Sequence, residues 1–427
     1  MIVGGLAASS SADWYGRRPV LQWTNVIFCI SGLLSALAAE FWTFVCLRIC
    51  CSIAIGAMIP VGMSLLLEIS PTNHRALMGM SLAGTAWSFG TLSACMVGFG
   101  FKTYMGDNPF WWRGVLLACA VPGVLTLPYV FIGLPESPHY LLVRHRKDEL
   151  KECLKQMGNS NQTPRLAVME VADDLKGNVA QDSARQSFDD LQTLFAEDAL
   201  WTTLYLAVAN GTCGFIYAGQ NFIYPKILQE KYEVELSDQF KAVAMNCIAE
   251  LGVVFLALWA MDSPSLGRKH TNTLGFIATV LCAIGAVLLR EDLESFKAMN
   301  CLIRAAVSCP FTVIGIYAGE LYPSSLRATA VFSATLWGRL AAMFSTLVVT
   351  AAYRSSANDV FYEFIALASV ATIASILYPR ETLGQPLPLT MSDMRSYHIG
   401  MWGAGADYVP LKPGSATQKI RESLDDE

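Results

Sequence analysis

Glu250 is the residue whose setting says most about chemistry. It is a carboxylate in the middle of the apolar run 242–261, whereas Glu40 and Glu363 lie near the ends of theirs. A charged, unpaired carboxylate is costly in such a place, so the group must be protonated, paired or facing water. A carboxyl balanced in that way can carry a proton or accept a cation. Asn246, one helical turn earlier, shares its face. Arg48, Arg304 and Arg339 also lie inside apolar runs and are candidates to pair with the acid or to hold a solute. A structural ion pair that fixes helix packing is the competing reading, and Arg48 and Arg304, near the ends of their runs, can also snorkel. Trp87 and Tyr217 offer ring faces that suit bulky or cationic organic solutes.

A second set of charges repeats. Glu68-Ile-Ser-Pro-Thr-Asn-His-Arg75 returns as Glu320-Leu-Tyr-Pro-Ser-Ser-Leu-Arg327, both of the form E-x-x-P-x-x-x-R and each closing an apolar run. An acid, a helix-stopping proline and a base at one spacing make a charged elbow at a membrane face. Asp13-Trp-Tyr-Gly16-Arg17-Arg18 is echoed by Asp262-Ser-Pro-Ser-Leu-Gly267-Arg268-Lys269, and Pro135-Glu-Ser137 by Pro379-Arg-Glu-Thr382. Arg48 is echoed by Arg304. Four pairs in one order, offset by 245–256 positions, indicate two halves related by duplication, an architecture of secondary transporters. The charged turns are expected to pair across neighbouring helix ends and to latch one face of the bundle in one of two states. Plain anchoring of the loops is the alternative.

These residues sit in a chain of 427 residues, 53% hydrophobic and 15% charged, with mean hydropathy +0.40. A soluble domain averages about 25% charged. A run of about 20 apolar residues spans a bilayer as a helix. The sequence offers ten: 20–39, 43–66, 76–100, 114–134, 200–223, 242–261, 271–289, 298–319, 328–351 and 360–378, preceded by an apolar stub at 1–12. The expectation is an all-α membrane protein with an N-terminal helical half at 1–142, a linker at 143–199, a C-terminal six-helix half at 200–382 and a tail at 383–427 expected to be disordered. The elbow side, counting linker and tail, carries nineteen Lys and Arg against eight opposite, which makes it cytosolic together with the linker and tail. The Asn161-Gln-Thr163 acceptor should then stay without a glycan.

Several classes are excluded. The net charge of −5, with no basic cluster interleaved with aromatics, speaks against nucleic acid. There is no phosphate-cradling glycine loop, H-E-x-x-H or nucleophile elbow, so no enzyme and no cofactor is expected. The histidines show no metal-ligand pattern, and eleven of twelve cysteines lie in apolar runs, where they read as small free hydrophobes.

The Asp13–Arg18 turn resembles the commonest signature of the major facilitator superfamily. Pro135-Glu-Ser-Pro-His-Tyr-Leu-Leu142 resembles a block of its sugar porters and organic-ion transporters, with His139 and Tyr140 in place of Arg and Trp. Pro379-Arg-Glu-Thr-Leu-Gly-Gln-Pro-Leu-Pro388 resembles the tail block of the organic cation and anion transporters, with an extra Arg380. Ala249-Glu-Leu-Gly-Val253 is closer to the synaptic vesicle glycoprotein 2 and its related proteins. The resemblance runs from residue 1 to about 390. It implies two six-helix halves, the chain starting within the second helix of twelve, with Arg339 matching an eleventh-helix arginine of the organic-ion transporters. It also implies an integral membrane protein of the plasma membrane or an intracellular vesicle that moves a small organic ion or metabolite by alternating access, coupled to protons or another gradient. The alternatives are a non-transporting vesicle or scaffold protein of the synaptic-vesicle-2-like type, and a sugar porter.

Overall fold

The computed structural model describes residues 1–69, 84–106, 108–143, 146–160, 195, 197–263, 265–322, 327–378 and 380–383. The side chains of Asp13, Glu68 and Arg327, and all of Arg75, lie outside the described residues, as do most of the linker and the tail from 384.

The described chain is helical. In order it forms α1 (Ile2–Tyr15), α2 (Arg17–Leu37), α3 (Phe41–Ile69), α4 (Ala86–Met105) and α5 (Trp111–Pro128), which runs on through a π turn at Tyr129–Gly133. Two short helices follow, α6 (Pro138–Val143) and α7 (Lys147–Ser160). Then come α8 (Glu197–Glu230), α9 (Leu236–Asp262), α10 (Gly267–Leu288), α11 (Leu293–Leu321), α12 (Arg327–Ser355) and α13 (Ala357–Leu377). Helices win because in lipid every backbone N–H and C=O must be satisfied within the segment. Nine of the described helices are long and apolar enough to cross a membrane. The expected run 76–100 is described only in part, as α4, whose Ser, Thr, Gly and Cys residues make it less apolar than its neighbours. α8 and α9 begin well before their apolar runs, because a helix carries its polar first turn out past the bilayer.

The burial pattern also suits lipid. Trp23, Ile132, Leu281, Leu288 and Leu347 are large, apolar and more than half exposed, on helices that would face acyl chains. The largest apolar cluster draws only on residues 199–378, with Phe276, Ile303, Tyr317 and Phe364 fully buried in it. A smaller one joins α1, α2 and α3. Where helices cross closely, glycine makes room. A Cβ on Gly214 of α8 would lie 2.1 Å from the Gly338 carbonyl oxygen of α12. Among the described residues, one extensive helix contact joins the segments before residue 160 to those after 197, and that is α4 against α9.

Candidate functional site

Glu250 sits on the buried face of α9, 3% exposed, and receives hydrogen bonds from three other helices. Nε of Arg304, on α11, donates to its Oε2 at 2.8 Å, an ion pair whose two side chains are 3% and 4% exposed. The hydroxyl of Tyr217, on α8, donates to Oε1 at 3.2 Å, and that of Ser88, on α4, to the same oxygen at 3.0 Å. The indole N–H of Trp87 donates in turn to the Tyr217 hydroxyl at 2.6 Å. Arg304 is held on its other side by Asn221, whose amide oxygen accepts from Nη1 at 2.5 Å. Its guanidinium carbon lies 3.4 Å from the centroid of the Tyr217 ring. That ring is stacked against Phe311.

Burial of this kind has a stated cost. Each charge loses water, so the pair persists only because both partners' remaining lone pairs and protons find hydrogen bonds. Ser88, Tyr217 and Asn221 supply them. The four contributing helices include α4 from the first part of the chain and α8, α9 and α11 from the second. A change in the charge of Glu250 therefore acts directly on the contact between the two parts.

Arg304 also lines a cavity of about 60 Å³ with Gln220, Asn221, Tyr224, Asn246 and Cys247. Asn246 Oδ1 is buried there without a hydrogen-bond partner among the described residues. Pockets that hold drug-sized ligands run to ~300–1,000 Å³, so this one admits only small molecules until the helices move apart. It presents amide groups and one guanidinium edge, which suits an oxygen-rich or anionic solute.

Of the residues singled out in the sequence, Glu250, Arg304, Asn246, Trp87 and Tyr217 come together here. Arg48 does not: it is exposed on α3, away from the cluster. Arg339 lies on α12, half-buried, with Nη1 buried and without a hydrogen-bond partner among the described residues. Ser88, Gln220 and Asn221 had no signal in the sequence, since short polar side chains are common in apolar helices.

The charged turns collect at one end of the bundle. Arg268 is 8% exposed and meets Asp262 at 3.3 Å and Glu320 at 3.2 Å, while its Nη1 donates to the Met261 carbonyl at 2.8 Å. The Thr382 hydroxyl donates to the other oxygen of Glu320. The equivalent pairs expected of Asp13, Glu68 and Arg75, and that of Glu320 with Arg327, fall outside the described side chains. The glutamates of the repeated Pro-Glu blocks have a role that sequence reasoning missed. Glu136 accepts from the backbone N–H of Arg17 at 2.9 Å and of Arg18 at 3.2 Å. Glu381 accepts from the N–H of Arg268 and of Lys269, both at 2.9 Å. Each carboxylate thus seats on a helix N-terminus, where unpaired N–H groups and the helix dipole favour an anion. Gly16 and Gly267 allow it. Their φ angles are +102° and +66°, and a Cβ would come within 2.4 Å and 2.5 Å of the carboxylate oxygens. The echo of the two blocks in the sequence was the available signal.

Outside the spans, α6 and α7 pack through Tyr140, Leu141, Leu150 and Cys153. Burial, with Glu136 nearby, pushes the Cys153 thiol above its ordinary range.

Comparison with known proteins bears on the chain as a whole. The family described as "Sugar (and other) transporter" matches residues 1–390. Human organic anion transporter 3 is 24% identical over 413 residues, covering 93% of this chain and 70% of the relative. The bovine synaptic vesicle 2-related protein is 24% identical over 426 residues, covering 94% and 74%. Among solved structures, the xylose transporter XylE from E. coli, in a partially occluded inward-open conformation, superposes with a TM-score of 0.69 at 18% identity, covering 89% of this chain and 85% of the other.

Proposed function

Since this chain belongs to the sugar (and other) transporter family of the major facilitator superfamily, we propose that it is a secondary active transporter that moves a small organic ion across a membrane by alternating access, with Glu250 carrying the coupling proton. It is a multi-pass membrane protein and not an enzyme. The observation that carries the proposal is the buried Glu250–Arg304 pair, bonded to α4 on one side and bordering a cavity on the other.

The cycle follows from the pair. With Glu250 ionised, Arg304 is neutralised and Ser88 and Tyr217 hold α4 against α9 and α8. Protonation removes the attraction and leaves the Arg304 guanidinium facing the cavity, where a carboxylate or similar anion replaces the lost partner. Loss of the proton restores the internal pair and expels the solute. An organic anion is therefore the favoured cargo, and organic anion transport is what the name of one relative states. A neutral sugar is the second reading, favoured by Gln220, Asn221 and Asn246, which offer amide donors and acceptors on the same wall. Arg339, whose buried Nη1 has no hydrogen-bond partner among the described residues, is a second point for an anion on α12. The Arg268–Asp262–Glu320 cluster and the Glu136 and Glu381 caps form the cytosolic latch in this reading, and helices α1 to α5 and α8 to α13 form the two halves that rock.

The test is counterflow in proteoliposomes with benzoate, D-xylose and tetraethylammonium as probes of the anion, sugar and cation classes. Preloaded vesicles should take up benzoate at least tenfold above protein-free vesicles. No uptake of any of the three would favour a non-transporting scaffold role.

A further inference from the structure

Cys95 and Cys247 lie on the facing stripes of α4 and α9, Cys95 seven residues after Ser88 and Cys247 three before its partner Glu250. The geometry of that contact explains why they meet. α4 and α9 run antiparallel: Gly84 packs on Val254, Ser88 bonds Glu250, and Gly98 packs on Phe240. A Cβ on Gly98 would lie 2.7 Å from the Phe240 ring, so small residues keep the two helices close. Side chains on a helix lean toward its N-terminus. In that register Cys95 leans toward the level of residue 91, opposite Cys247, and Cys247 leans toward the level of 243, opposite Cys95. The two sulfurs converge in the same layer.

The place matters as much as the proximity. This is the extensive contact that joins the first set of helices to the second among the described residues. Cys247 lines the cavity beside Asn246 and Arg304. Cys247 is buried, while Cys95 is half-buried and within reach of a small reagent.

We propose that Cys95 and Cys247 form a modification site, joined by a peroxide-class oxidant into a disulfide that staples α4 to α9 and arrests the protein in this conformation. The chemistry is a two-electron oxidation. The sulfur of Cys95 attacks one peroxide oxygen, the O–O bond breaks, Cys95 becomes a sulfenic acid, and the departing hydroxide takes the thiol proton and leaves as water. The sulfur of Cys247 then attacks the sulfenic sulfur, the S–O bond breaks, its thiol proton goes to the departing hydroxide, and a second water leaves. A dithiol reductant reverses the linkage. The arrest rests on the alternating-access reading, because only a cycle that parts α4 from α9 is stopped by a bond between them.

The linkage can be read without transport. A sequence-specific protease site is inserted in the 161–194 segment of the full chain, and the purified protein is treated with hydrogen peroxide, cleaved and run on a denaturing gel. The expected result is one band at the mass of the uncleaved chain without reductant and two fragments with dithiothreitol. Cys95→Ser and Cys247→Ser should give two fragments in both lanes, with Cys95→Ala and Cys247→Ala as second variants should serine impair folding. Peptide mass spectrometry should find the Cys95–Cys247 pair. Fragments that separate after oxidation in the parent protein, or stay joined in the Cys95 variants, would overturn the site. In parallel, oxidised proteoliposomes should lose at least tenfold in counterflow and regain it with dithiothreitol. Linked protein that transports at the reduced rate would overturn the arrest. Reduced protein with no counterflow would instead count against the transport reading, with the linkage still decided on the gel.

Discussion

Arg304 is costly to lose while Glu250 keeps its charge. Arg304→Ala leaves a buried carboxylate without its cation and should destabilise the protein by about 3–5 kcal/mol. The measure is the thermal unfolding midpoint in detergent, and an unchanged midpoint would remove the ion pair from the account. Gly267 gives a second expectation. In Gly267→Ala the new Cβ meets the Glu381 carboxylate and the backbone stays at φ +66°, so a loss of roughly 1–2 kcal/mol is expected from the conformation alone. Replacing Glu381 by Ala in that background should cost less than it does in the parent, because the displaced carboxylate no longer caps α10. A double-mutant cycle on midpoints reads this. Glu250 was legible in the sequence because a mid-run carboxylate is an anomaly. Its partner was not: three arginines lay in apolar runs, and only the packing of α9 on α11 selects Arg304. The echoed glutamates were visible as a repeat, yet their capping role depends on the fold that brings Pro135-Glu136 to the start of α2.

At the level of elements, the α8–α12 crossing rests on Gly214. A leucine there would push against the Gly338 carbonyl and part the two helices, at about 1–3 kcal/mol or more. Gly214→Leu should lower the unfolding midpoint and the yield of monodisperse protein, whereas Gly252→Leu, with open space around it, should not. The existence of the helices was legible from the apolar runs alone, since a bilayer leaves few other solutions. Their ends were less so. α8 starts at Glu197 and α9 at Leu236, in polar sequence that carries no hydropathy signal. Helix contacts were beyond reach of periodicity, because helices apolar on all sides do not show which face meets a neighbour.

For the whole molecule, the orientation remains a matter of charge. Arg17, Arg18, Arg268 and Lys269 gather at one end with the Glu136 and Glu381 caps, and that end should be cytosolic. Expressed in a glycosylating cell, the protein should carry no glycan at Asn161, and treatment with a glycosidase should leave its mobility unchanged. A shift would turn the molecule over and place the latch outside. The duplication was readable in the sequence from four echoed pairs. The chemistry of the centre was readable only in part, because Glu250, Tyr217 and Ser88 are far apart in the chain and their meeting is a property of the assembled bundle.

The most direct test concerns the proton on Glu250. Glu250→Gln keeps the shape and the hydrogen-bonding oxygen but cannot titrate. Parent and variant would be reconstituted, and benzoate uptake followed with and without an inward proton gradient alongside the unfolding midpoint. The account predicts that the parent accumulates benzoate only with the gradient, and that Glu250→Gln still exchanges benzoate at equal pH but accumulates none. A stable Glu250→Gln protein that accumulates benzoate under the gradient as the parent does would contradict it.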